Sequence, residues 1–69
     1  MQWEYLLVQD FHSEVVKIVY PDGNLQEWTK PRNSAGSIFQ SQILKKIGDD
    51  GWEMVGKEGA WLFFKRPKP

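Results

Sequence analysis

The stretch SIFQSQILKKIGDDGWEMV, residues 37–55, decides the fold. Ser37 stands three residues before Gln40, the spacing of a capping box, in which each side chain satisfies the other's orphan backbone donor. A helix is therefore expected from Ile38 to about Asp50. Phe39, Ile43, Leu44 and Ile47 recur at helical spacing on one face, with Ser41, Gln42, Lys45 and Asp49 on the other. Gly48 could end the helix early. Gly51 is the better left-handed cap, because strand-like sequence begins immediately after it. Trp52 is placed to fold back onto the last helical turn.

Working toward the C-terminus, Trp52 to Lys57 and Ala60 to Arg66 read as two strands joined through Glu58 and Gly59. The run Ala60-Trp61-Leu62-Phe63-Phe64 is apolar on both faces, which points to an interior strand. Residues 1–66 form a single domain, and residues 67–69 a short basic, proline-containing tail expected to be mobile.

Toward the N-terminus, Gln2 to Gln9 alternates as a strand and Asp10 to Ser13 interrupts it. Glu14 to Tyr20 resumes with the β-branched residues Val15, Val16, Ile18 and Val19. Pro21 suits the first corner of a type I turn, Asp22 the second, and Gly23 the left-handed position after it, which predicts a hairpin to Leu25–Lys30. Pro31 ends that strand for want of an N–H donor. Arg32 to Gly36 is a polar loop. The expected fold is α+β, in the order β-β-β-α-β-β. It has a mainly antiparallel sheet of about five strands, and one helix packed on one face. The last strand lies between the first strand and the Trp52 strand, and the Pro21–Gly23 hairpin extends the sheet beyond the first.

Sixty-nine residues leave room for one core. A domain of this size buries only about 60% of its unfolded surface, so it needs reinforcement. There is no cysteine and only one histidine, which removes disulfides, thiolate metal sites and a His-based structural zinc. Apolar packing must do the work, and four Trp, four Phe and two Tyr supply it. Nine basic and nine acidic residues cancel, unlike the strongly basic balance of a dedicated nucleic-acid binder. No apolar run approaches the ~20 residues of a membrane span, and the sequence opens in a strand without a signal-peptide pattern, so a cytoplasmic location is expected and no membrane partner.

Trp3-Glu4-Tyr5, then Ile43-Leu44-Lys45-Lys46-Ile47-Gly48-Asp49-Asp50-Gly51-Trp52-Glu53-Met54-Val55, then Phe64-Lys65-Arg66-Pro67, resembles a widespread bacterial family of very small domains. The family is catalogued as a domain of unknown function, number 4177. Its members run from a W-E-Y strand to a helix ending L-G-x-x-G-W-E-L-V and close on F-K-R-P. Relative to the simplest members, Phe11 to Asn33 looks like an inserted hairpin. The resemblance implies the fold and carries no activity, cofactor or catalytic residue.

The residues themselves offer few chemical constellations. Asp10, His12 and Glu14 share one side of an extended segment and have the right donors for zinc or iron, but no second histidine completes a site. A solvated turn is the simpler account. Asp49-Asp50-Gly51 lacks calcium-loop spacing, no glycine motif cradles phosphate, and Ser34, Ser37 and Ser41 have no base nearby. No enzyme, cofactor, metal or small-molecule substrate is inferred.

The aromatics carry the functional expectation. Trp61 and Phe63 face opposite to Leu62 and Phe64, and one helix covers only one pair. Trp61, Phe63, Trp28 and Lys65 form the candidate interaction surface, on the helix-free face. The leading reading is a protein-binding or homodimeric surface. The alternative is single-stranded nucleic acid stacked on the sheet, with Lys17, Lys30, Arg32, Lys57, Lys65 and Arg66 for phosphates. A third is that the Arg32–Gly36 loop covers the face.

Overall fold

The computed structural model describes residues 1–69. Five strands and one helix follow in the order β1 (Trp3–Gln9), β2 (Val15–Val19), β3 (Leu25–Thr29), α1 (Gly36–Asp49), β4 (Glu53–Glu58) and β5 (Trp61–Pro67). The sheet is antiparallel throughout, with strand order β3-β2-β1-β5-β4. This is the α+β fold expected from the sequence, with β5 between β1 and β4. No helix is long and apolar enough to cross a membrane.

Local chemistry sets the joints. At the first hairpin Gly23 takes φ +90°, a conformation open to a residue without Cβ. Its N–H donates to Tyr20 O at 2.9 Å, Tyr20 N–H donates to Asn24 O at 2.8 Å, and Asp22 Oδ1 accepts the Asn24 N–H at 3.0 Å. At the other end of β2, in the connection from β1, Asp10 adopts φ +57°. That left-handed step turns Phe11 into the core, where it is 6% exposed and its N–H donates to Ala60 O at 2.8 Å. The interruption between β1 and β2 thus contributes an anchor that its polar neighbours concealed.

Even-numbered residues of β1, β2 and β5 point toward the helix: Leu6 and Val8, Val16 and Ile18, Leu62 and Phe64 are all buried. Phe39, Ile43 and Ile47, one turn apart, meet them from α1. Burying three such side chains contributes roughly 5–9 kcal/mol before conformational entropy is counted. Leu44 is not one of them. It lies about 100° around the helix from Ile43 and stays 38% exposed, so only part of the expected apolar face reaches the sheet.

The helix begins earlier than its capping box predicts. Ala35, with φ −68° and ψ 146°, is the N-cap and makes no side-chain cap bond. Phe39 N–H donates to Ala35 O at 3.1 Å, so Ser37 already lies within the first turn and cannot act from a non-helical cap position. Before it, Ser34 N–H on Pro31 O and Lys30 Nζ on Ser34 O close the loop and deliver the chain extended at Ala35.

The C-terminal end follows the sequence closely. Gly51, at φ +89°, donates to Gly48 O at 3.0 Å, and Trp52 N–H donates to Ile47 O at 3.2 Å. This pair of bonds is the Schellman motif, and the hydrophobic contact that accompanies it is Trp52 against the last turn, 6% exposed. Arg66 of β5 locks the same corner. Its Nη1 donates to Asp50 O at 2.7 Å, its Nε to Glu4 Oε2 at 3.1 Å, and its guanidinium lies 4.1 Å from the Trp52 ring centre. A cation at the negative end of the helix dipole is well placed. Pairing runs on past Arg66: Pro67 belongs to β5, and Lys68 N–H donates to Gln2 O at 3.0 Å.

Candidate functional site

Alternation along the strands assigns the face away from the helix. Register then groups its side chains in rows across the sheet. The central row is Leu25–Val19–Leu7–Phe63–Gly56, one residue from each strand, apolar from edge to edge. Leu25 is 54% exposed at its outer end. On one side runs Glu27–Lys17–Gln9, with Trp61 and Glu58 continuing on β5 and β4. On the other runs Tyr5–Lys65–Glu53, with Trp3 paired to Pro67 beyond it.

β4 reaches the central row through an irregularity. Met54 pairs with Phe64 and Gly56 with Phe63, so Val55 is an inserted residue. One alternation is lost there, and Val55 and Gly56 both take the helix-free side. Phe63 covers the missing side chain of Gly56, whose Cβ position would lie 4.0 Å from Phe63 Cδ2. The bulge also twists an edge strand that would otherwise offer a flat template for pairing.

β2 pairs with β1 only from Leu7 to Gln9, then turns away after Val19. The gap it leaves opens a shallow groove of about 310 Å³, lined by Tyr5, Leu7, Val19 and Phe63 of this face and by Leu6, Tyr20 and Phe64 of the helix side, all hydrophobic. Lys65 lies over the neighbouring Trp3 ring, 4.2 Å from its centre. The long stem of Lys65 adds apolar surface while its ammonium is held by the indole face.

Three of the four residues singled out from the sequence, Trp61, Phe63 and Lys65, come together on this face. Trp28 does not. It pairs with the fully buried Val16, so it lies on the helix side, half-buried against the core, with Nε1 donating to Gln26 Oε1 at 3.3 Å. Its parity was available in the sequence: the Pro-Asp-Gly turn pairs residue 20 with 24, hence 16 with 28. The same counting would have found Val19 and Leu25, which the sequence reading left out, whereas Leu7 joins them only through the register of β1 with β2 and β5. Trp3 and Tyr5 were missed for another reason: Leu6 and Val8 make the second face of β1 apolar as well, so alternation alone does not say which face the helix covers. The Arg32–Gly36 loop leaves the face uncovered, and Trp61 is 45% exposed.

The expected cations are scattered. Lys17 and Lys65 share the aromatic face with Glu27, Glu53 and Glu58. Lys57 and Arg66, opposite Leu62 and Glu4, belong to the helix side, and Lys30 is engaged by Pro31 O and Ser34 O.

Asp10, His12 and Glu14 do not converge. Asp10 Oδ2 is 3.9 Å from Lys17 Nζ, and His12 Nδ1 is 3.3 Å from Gln40 Nε2. No three His, Asp or Glu side chains gather anywhere in the chain. Asp49 and Asp50 are taken by Lys45 at 2.7 Å and Lys46 at 3.0 Å, one turn back on the helix. These bonds raise both lysine pKa values above 10.5, first through the hydrogen bond and then through the carboxylate's charge.

The largest depression, about 580 Å³, lies on the helix side between the first hairpin and the Glu4–Arg66 pair. Arg66 is already held there by Glu4, Asp50 O and Trp52, and only two of the eight lining residues are hydrophobic, so it offers little to a ligand. No family model, curated protein or solved structure matches the chain.

Proposed function

We propose that this chain, read as an elaborated member of the bacterial family it resembles, is a non-enzymatic interaction module of the cytoplasm that binds protein through the helix-free face of its sheet. The observation that carries the reading is the apolar row Leu25–Val19–Leu7–Phe63, in which Leu7, Val19 and Phe63 are half-buried and Leu25 is exposed, flanked by the exposed Trp3, Tyr5 and Trp61. Apolar surface of that extent marks an interaction site. Support against catalysis comes from the dispersal of the carboxylates and the one imidazole among separate partners.

Nucleic acid is the competing occupant, and the Trp3–Lys65 stack is the kind of element it would use. Glu27, Glu53 and Glu58 on the same face repel phosphate, which favours protein. A photo-crosslinking residue placed at Trp61, with a control at Lys45 on the exposed side of the helix, tests the reading in cells. Protein adducts from position 61 but not 45 are expected. Nuclease-sensitive adducts would transfer the face to nucleic acid, and none at all from position 61 would end the reading.

A further inference from the structure

We infer that the occupant of the helix-free face is a second copy of this chain, related by a twofold axis passing beside Leu7; the inference rests on the face being an interaction surface at all. Size is the first argument. The three inner strands β2, β1 and β5, which stay in contact when the outer two swing away, span about 14 Å at ~4.8 Å spacing, and three same-face rows cover about 20 Å along them, an outline of roughly 290 Å². An outline of that order belongs to the weak, concentration-dependent end of protein interfaces.

Layout is the second argument. β1 is the middle strand of five, and Leu7 is the middle of the apolar row. A twofold axis there lays the row upon itself, whether the axis runs along the strands or across them. With the axis across the strands, Trp61 falls over the partner copy's Lys65; with the axis along them, over its Lys17. Either way a cation that must leave water finds an indole. The acids stand elsewhere: Glu27 lies on β3, and Glu53 and Glu58 on β4, the two outermost strands. Each strand turns roughly 20–25° from its neighbour, so these edges swing away from a facing sheet and keep their carboxylates in water. An apolar centre with a charged rim is the anatomy of a protein interface.

The third argument is need. The core consists of eleven buried residues in a 69-residue chain with no cysteine. Oligomerisation is one of the few remaining ways to reinforce so small a domain.

Sedimentation equilibrium of the whole chain from 5 to 500 µM, with amide and methyl NMR on dilution, tests this directly. The mass should rise from 8.1 kDa toward twice that value, and shifts should move at Leu7, Val19, Trp61 and Phe63 but not at Ser41 or Lys45. Trp61→Glu, at an exposed position, should weaken association at least tenfold with an unchanged circular dichroism spectrum. Phe63→Glu should do the same, and Leu25→Lys stands in if that variant fails to fold. A monomer at every concentration overturns the second copy, while protein adducts of another mass from position 61 in cells would keep the face. A dimer whose shifts map to the helix or the sheet edges, or that ignores Trp61→Glu, also overturns the second copy on this face, and crosslinking from position 61 then decides the face itself.

Discussion

Replacing Gly51 by alanine isolates one term of the fold. Gly51 sits at φ +89°, and a Cβ added there meets nothing within 4 Å, so the change is purely conformational. An L-residue in left-handed space costs about 1–2 kcal/mol, and +89° lies beyond the usual minimum near +57°, which argues for the upper part of that range. Alanine also restricts the unfolded chain, returning about 0.4–1 kcal/mol. The net expectation is a loss of about 1 kcal/mol, or some 4–8 °C in Tm for a domain of this length. Gly48, three residues earlier, supplies the control. It is helical and equally unobstructed, so alanine there should stabilise by about 0.5–1 kcal/mol. Urea unfolding followed by Trp fluorescence, at fixed protein concentration and with unchanged slope, measures both. Opposite signs are required. If Gly51→Ala matched or exceeded the parent, the Schellman bonds from Gly51 and Trp52 would not be what ends the helix.

Further tests probe other joints. Phe11→Ala should cost about 3–5 kcal/mol by urea unfolding despite its place in a polar connection, because the ring is buried. At Asp10, with φ +57°, glycine should be neutral or slightly stabilising and valine clearly destabilising, measured by Tm. Arg66→Lys should lose about 1–2 kcal/mol, since an ammonium cannot bond Glu4 and Asp50 O while lying flat on Trp52; tryptophan emission should shift with it. Lys45 and Lys46 should titrate above 10.5 by NMR, and Asp49→Asn should return Lys45 toward that value. Because folding raises these pKa values, their stabilising effect is complete below pH 10.5 and is lost as the pH rises through the folded values.

Strand order was legible because three local signals agreed: the Pro-Asp-Gly turn, the Gly51 stop, and an apolar run in β5 that only an interior position accommodates. Trp28 was misplaced for a different reason. Hydrophobicity says that a side chain wants cover, but only register says which face provides it. Phe11 was hidden by a single positive φ at Asp10, one of the few residue types that takes that conformation readily, so the alternation of β1 no longer applied after it. The Ser37–Gln40 box had the right spacing and lost to a loop that delivers the chain into helix earlier. As for the interaction face, its aromatic anchors on β5 could be read from alternation, whereas the row joining them across five strands exists only once the strands are side by side.

The position of β5 has a consequence for how the molecule comes into being. β5 follows the other four strands and the helix in the chain, yet it is an interior strand of the finished sheet and pairs with the first. Until residue 67 has left the ribosome, β1 has no neighbour on that side, β4 has no strand to pair with, and Leu6, Val8 and the helix lack Leu62 and Phe64. The β1–β2–β3 meander and α1 can form locally, but the Glu4–Arg66 pair closes a loop of 62 residues. Chain-closure entropy of that kind must be met before the contacts reward it, which slows folding and makes it a late, all-or-none event. Before β5 docks, the chain therefore carries an unpaired β1 edge and uncovered core residues together, and it is at its most vulnerable to aggregation at that stage.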